Sequence, residues 1–198
     1  YTEILAPYLH DAGRYTAVVV DPAKVANENA RNYYTKGNED FRAKLAANAA
    51  AFGKAVVTEY DPSAPVFAEP NSADLVLTFR NVHNWMGQGQ AQGMFDAFYA
   101  ALKPGGVLGV VEHRAAADVA DGDRSGYVSE NQVIAYATAA GFQMVEKSEI
   151  NANPKDTKDH PNGVWTLPPS SRLPEGDDGQ KFRDIGESDR MTLKFVKP

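Results

Sequence analysis

The 198-residue chain contains no cysteine, which excludes disulfide frameworks, thiolate nucleophiles and zinc ribbons. It has no apolar run near the ~20 residues needed to cross a bilayer, so no membrane partner is expected. Positive charge is scarce: 20 Lys and Arg against 26 Asp and Glu give a net charge of −6, with an isoelectric point near 5.2. A nucleic-acid binder shows a basic face or stripe, and this balance argues against nucleic acid as a partner. There is no G-x-S-x-G elbow for a serine hydrolase and no G-x-x-x-x-G-K-[ST] loop for nucleotide phosphates. No signal peptide is visible, but the chain opens at Tyr1 rather than Met. Targeting is therefore unreadable; the cytoplasm is the default and export stays open.

What is present is globular in balance, 43% hydrophobic and 23% charged, and of a length that suits one domain over residues 1–198. Ile4, Leu5, Tyr8 and Leu9 share a helical face ahead of Gly13. Tyr15–Val20, Ala55–Tyr60, Ala73–Phe79 and Val107–Glu112 are short apolar runs that read as buried strands. Phe41, Leu45, Ala49 and Phe52 mark a helix between the first two. Met94, Phe95, Phe98, Tyr99 and Leu102 mark another, stopped by Lys103-Pro104-Gly105-Gly106. Ser129 with Gln132 has the form of a capping box for a helix to Ala140. Phe142–Ile150 and Arg190–Val196 read as two further strands with no clear helix between them, so they form an antiparallel pair. The expected fold is α/β: a Rossmann-like, doubly wound, mostly parallel sheet with an antiparallel C-terminal strand. Residues 151–189 form a long connection, expected to be an ordered cover over the carboxyl edge of the sheet. Trp165 and Leu167 would pin it to the core.

Open parallel sheets bind ligands beyond the carboxyl ends of their strands. Those ends deliver Asp21; then Glu59, Tyr60 and Asp61; then Arg80-Asn81-Val82-His83-Asn84-Trp85; then Glu112-His113-Arg114; and Asn151-Ala152-Asn153, while Glu187-Ser188-Asp189-Arg190 precedes the last strand at the same edge. Asp21 is placed to accept ribose hydroxyls or merely to end a strand. Asp61-Pro62 is a turn or a ligand contact. The 80–85 run has no Gly/Pro turn signal and reads as a site. The D-x-x-D-H run at Asp156, Asp159 and His160 matches no standard metal spacing and reads as a solvated loop, so no metal site is expected.

The order of these pieces resembles class I S-adenosylmethionine-dependent methyltransferases. S-A-D-L-V-L-T-F is similar to their fourth strand and L-K-P-G-G-V-L to the turn before their fifth. The runs R-N-V-H-N-W-M, G-V-V-E-H-R, N-A-N-P-K-D-T-K-D-H-P and G-E-S-D-R-M-T-L-K-F look like a bacterial group of such proteins with undefined substrate. The resemblance spans nearly the whole chain. It implies S-adenosylmethionine as cofactor, contacted by Asp21, Tyr60, Asp61, Arg80 and Asn81. His83, Asn84 and Trp85 would then face a small-molecule substrate, with His113 and Arg114 in reach of it. Strand-end placement, apart from the resemblance, adds Asn151, Asn153 and Lys155 on the substrate side and offers Arg114 or Lys155 to hold an acidic group. It also implies a first strand and a glycine-rich loop just before Tyr1, so the sequence is expected to be an N-terminally incomplete piece. Without them, weak cofactor binding and an open sheet edge that invites self-association are expected.

The leading expectation is methyl transfer, with His83 or His113 as general base because imidazole titrates near neutrality. Two rivals stand beside it. One is a non-catalytic, ligand- or partner-binding relative of the fold. The other is a metal-dependent enzyme using His83, His113, Asp156, Asp159 or His160.

Overall fold

A computed structural model describes all 198 residues. The chain divides into two compact units, Tyr1–Phe67 and Ala68–Pro198. The first contains α1 (Thr2–Leu9), β1 (Thr16–Val20), α2 (Glu28–Ala47), α3 (Ala49–Phe52) and β2 (Val56–Tyr60). β1 and β2 pair in parallel, Thr16 beside Val56 through Val20 beside Tyr60, so both strands deliver their following residue at the same end. α2 starts thirteen residues before Phe41, the first position of the apolar pattern. Its first turns are polar all round and carry no amphipathic signal, but the Asn27 side chain accepts the Ala30 amide and sets the start. Asn48 then interrupts the helix and caps α3.

The second unit contains β3 (Ala73–Phe79), α4 (Val82–Gly87), α5 (Ala91–Ala101), β4 (Leu102–His113), α6 (Glu130–Ala139), β5 (Gln143–Ser148), α7 (Gln180–Ile185) and β6 (Arg190–Val196). Its sheet has the order β3-β4-β6-β5, with β3 and β4 parallel and β6 antiparallel to both β4 and β5. The mostly parallel sheet with a reversed last strand is therefore present. β6 inserts between β4 and β5 rather than adding at an edge. Its alternation explains this: Met191, Leu193 and Phe195 are all fully buried, a pattern an edge strand rarely needs. The Ser129–Gln132 capping box forms, opening α6. Met94, Phe95 and Phe98 of α5 join Leu108 and Val110 of β4 in the core.

Two local readings change. Lys103-Pro104-Gly105-Gly106 does not precede the strand: Leu102 is already extended and pairs with Ala73. Gly105, at φ +79°, bends the strand so that its amide reaches the Lys197 carbonyl. The 80–85 run is not a plain strand exit either, because it turns at once into α4. The connection over 151–189 is ordered, with a short 3₁₀ turn at Gly163–Thr166 and then α7. Gly163 docks this segment on Ser125. Its φ is +55°, and a Cβ there would lie 2.1 Å from the Ser125 carbonyl oxygen, so only glycine allows the approach.

Candidate functional site

Glu112 is the organising residue. It is the penultimate residue of β4, whose second half is largely buried, and its side chain has no exposure. A carboxylate there must be satisfied by the protein. One oxygen accepts the His113 amide at 2.8 Å and the His83 Nδ1–H at 3.0 Å; the other accepts the His83 amide at 3.2 Å. The parallel pairing of β3 with β4 makes this possible, because it places the first turn of α4 beside the end of β4. With Nδ1 donating to Glu112, the His83 ring is held in the tautomer whose Nε2 carries the lone pair. That Nε2 is buried and has no partner.

His113 lies beside it, ring centroids 5.6 Å apart, and its Nδ1 is hydrogen-bonded to Ser188 Oγ. Burial above all, then repulsion by the His83 ring once it is protonated and by the Arg80 and Arg190 guanidinium groups, pulls its pKa down to about 3. The ring is uncharged at neutral pH and a weak base. Trp165 stands edge-on to both imidazoles, at 5.5 Å from His83 and 6.4 Å from His113. It therefore does more than pin the connection to the core: with Arg80, His113 and Ser188 it lines a cavity of about 50 Å³. Arg80 leaves β3 at φ +58°, a left-handed conformation that is strained for a side chain of this size. Its Nε is buried without a partner.

The other expected residues separate into groups. Asp21 and Asp61 follow β1 and β2 at one end of the parallel pair, and the Asp21 amide bonds the Tyr60 carbonyl at 2.9 Å. Each spends one oxygen on its own turn, Asp21 on the Ala23 amide and Asp61 on the Ser63 amide and hydroxyl. The Ser63 bonds hold the Asp61 carboxyl below its ordinary pKa. Tyr60 packs against Phe67. Asn81 donates to Thr78 Oγ1 at 3.2 Å, and Asn84 is exposed on α4. The Trp85 ring packs on Phe98 of α5.

Arg114 is spent on its own chain. It binds Asp189 through two nitrogens and also pairs with Glu130 and Glu149. These bonds, Asp189 first, raise its pKa still further. Asn153 braces the Ile185 and Glu187 carbonyls, Asn151 donates to Thr192, and Lys155 reaches the Asp184 carbonyl. All four hold the long connection in place. The D-x-x-D-H run is solvated only at Asp159, which is exposed and bonds Thr157; Asp156 and the His160 side chain are buried and bonded to each other at 2.8 Å.

Glu112 and Ser188 stood in the strand-end runs without a role assigned to them, and Trp165 was expected only to pin the connection. Glu112 carried the plainest signal, as an acid inside an otherwise apolar strand. The ligand atoms of His83, Glu112 and His113 all lie within 4.8 Å of one another, a spacing a metal ion could bridge.

No protein-family model and no curated protein sequence matches the chain. Solved structures do. The [4+2]-cyclase SpnF is 17% identical, with a TM-score of 0.59 over 96% of this chain and 70% of its own. The glycopeptide N-methyltransferase MtfA is 13% identical, with a TM-score of 0.58 over 98% and 84%. A TehB-like S-adenosylmethionine-dependent methyltransferase from Corynebacterium glutamicum is 13% identical, with a TM-score of 0.54 over 98% and 74%. At such identities the likeness is one of fold: the chain has the Rossmann-like α/β fold of class I S-adenosylmethionine-dependent methyltransferases.

Proposed function

We propose that the protein transfers a methyl group from S-adenosylmethionine to an O–H or N–H of a small acceptor. One observation carries this reading: an imidazole, His83, is oriented by a buried carboxylate at the strand ends of a methyltransferase-type fold, with Nε2 left unclaimed. MtfA has been solved with S-adenosylhomocysteine bound, and methyl transfer is the chemistry named for two of the three neighbours above. SpnF is a cyclase on the same fold, so the fold alone does not choose the reaction.

Asp21 and Asp61 fit the cofactor's hydroxyl and amino groups. Each follows a parallel strand, and the Asp21 carboxylate is bonded through one oxygen only, to the Ala23 amide. When bound, the cofactor supplies an electrophilic methyl group on sulfur. The protein positions the acceptor and keeps water out. His83 Nε2 takes the proton that the acceptor's oxygen or nitrogen loses. Glu112 keeps the opposite ring nitrogen donating and stabilises the imidazolium that forms. His113, uncharged and weakly basic, serves as a hydrogen-bonding wall.

Metal-dependent catalysis at His83, Glu112 and His113 is the second reading, favoured by their ligand spacing. The charges of Arg80 and Arg190 at the same place disfavour a cation. Calorimetric titration of S-adenosylhomocysteine into the full-length protein tests the proposal. Binding is expected, weakened about tenfold or more by Asp21→Asn. Absence of binding overturns methyl transfer.

A further inference from the structure

The cavity above His113 is built for an anion. Arg80 enters no ion pair, although the chain has an excess of acidic residues. Its Nε is buried without an acceptor, and so is that of Arg190, which lies opposite His113 in the β4–β6 register. A buried donor left without an acceptor is costly, and of these two guanidinium groups it is Arg80 that lines the cavity. The strained backbone at Arg80 aims it from the end of β3. The nearby acids are committed. Glu112 is taken by His83 and His113, and Glu187, which itself lines the cavity, is neutralised by Arg190 at 2.7 Å. The cavity, about 50 Å³ and walled by Trp165 and Pro168, has room for one flat polar group rather than a whole substrate.

We propose that this cavity binds a carboxylate of the methyl acceptor, clamped by Arg80. As a statement about the acceptor it rests on methyl transfer; as a statement about an oxyanion site it does not. A planar carboxylate offers two oxygens to a guanidinium fork, which a lysine cannot match. The carboxylate could also be the cofactor's own, and the test separates the two sources.

Benzoate, its neutral isostere benzamide, inorganic phosphate and Zn²⁺ are titrated calorimetrically into the full-length protein, with and without saturating S-adenosylhomocysteine. Benzoate is expected to bind and benzamide not to. Arg80→Gln should weaken benzoate about tenfold or more with unchanged thermal unfolding, and Arg80→Lys, which keeps the charge but loses the fork, should weaken it as well. If Arg80→Gln fails to fold, Arg80→Lys decides. Equal binding of benzamide, benzoate binding that survives either substitution, or no benzoate binding overturns the site. Tighter binding of phosphate overturns the planar-carboxylate assignment, and displacement of benzoate by Zn²⁺ replaces it with a metal. Displacement by S-adenosylhomocysteine assigns the cavity to the cofactor and overturns the acceptor. Failure of S-adenosylhomocysteine to bind while benzoate still does overturns methyl transfer alone.

Discussion

A single carboxylate does more for this site than either histidine. Glu112 accepts three hydrogen bonds, two of them to His83, and in doing so fixes both the place and the tautomer of that ring. Glu112→Gln keeps the shape but, even with its oxygen toward His113 N and His83 Nδ1, turns an amide donor onto the His83 N–H. Turnover should fall about 10²-fold or more, in kcat rather than KM, and the acidic limb of the pH–rate profile should move. His83→Ala should lower turnover similarly while S-adenosylhomocysteine affinity changes little. An equal fall in affinity would place His83 on the cofactor instead.

At the scale of elements, the long connection between β5 and β6 is held by buried polar bonds rather than by apolar packing alone. Asp156 accepts from the Tyr127 hydroxyl, from His160, and from the Lys158 and Asp189 amides. Burial, then the Asp156 carboxylate, raises the Tyr127 pKa, which keeps the hydroxyl a donor. Asp156→Asn leaves several of these donors facing an amide, and should destabilise the protein by about 3 kcal/mol in urea unfolding. Because Ser188 and Trp165 lie on the same connection, it should also weaken benzoate binding. Tyr127→Phe removes one of the four donors and should cost about 1 kcal/mol.

The molecule as a whole should be acid-labile, through two groups with depressed pKa values. His113 is held near 3 against an ordinary 6.5, by burial and by its cationic neighbours. As pH falls below 6.5 the unfolded chain takes a proton that the folded one refuses. Stability is therefore full above about pH 6.5 and is lost toward pH 3. Burial alone would raise the Asp189 carboxyl, but Arg114, the Asn153 amide and Lys158 outweigh it and hold it at about 2 against an ordinary 3.8. Its contribution is present above pH 3.8 and is lost as pH falls toward 2. Urea unfolding at pH 7, 5.5 and 4 should show a steady loss of stability, and His113→Gln should flatten that slope. An unchanged slope would mean that His113 titrates normally.

The local signals in this chain were sufficient for most of its elements. The runs at Ala73–Phe79 and Arg190–Val196 became strands with those bounds, and Ser129–Gln132 became a capping box. Hydrophobic periodicity and capping act within a few residues, so a sequence carries them in the open. The gathering of polar residues at strand ends was legible for the same reason. What only the tertiary structure decided is which of those residues meet. Glu112 pairs with His83 from 29 positions away, and Arg114 and Asp189 from 75. Both pairings depend on sheet order, with β4 beside β3 on one side and β6 on the other. Hence Arg114, expected at the substrate, is consumed in an ion-pair network. Arg80, expected at the cofactor, lines a cavity with His113, Trp165 and Ser188. Burial sets those partners, because a polar group removed from water must find whatever acceptor the fold brings near, however distant in the chain.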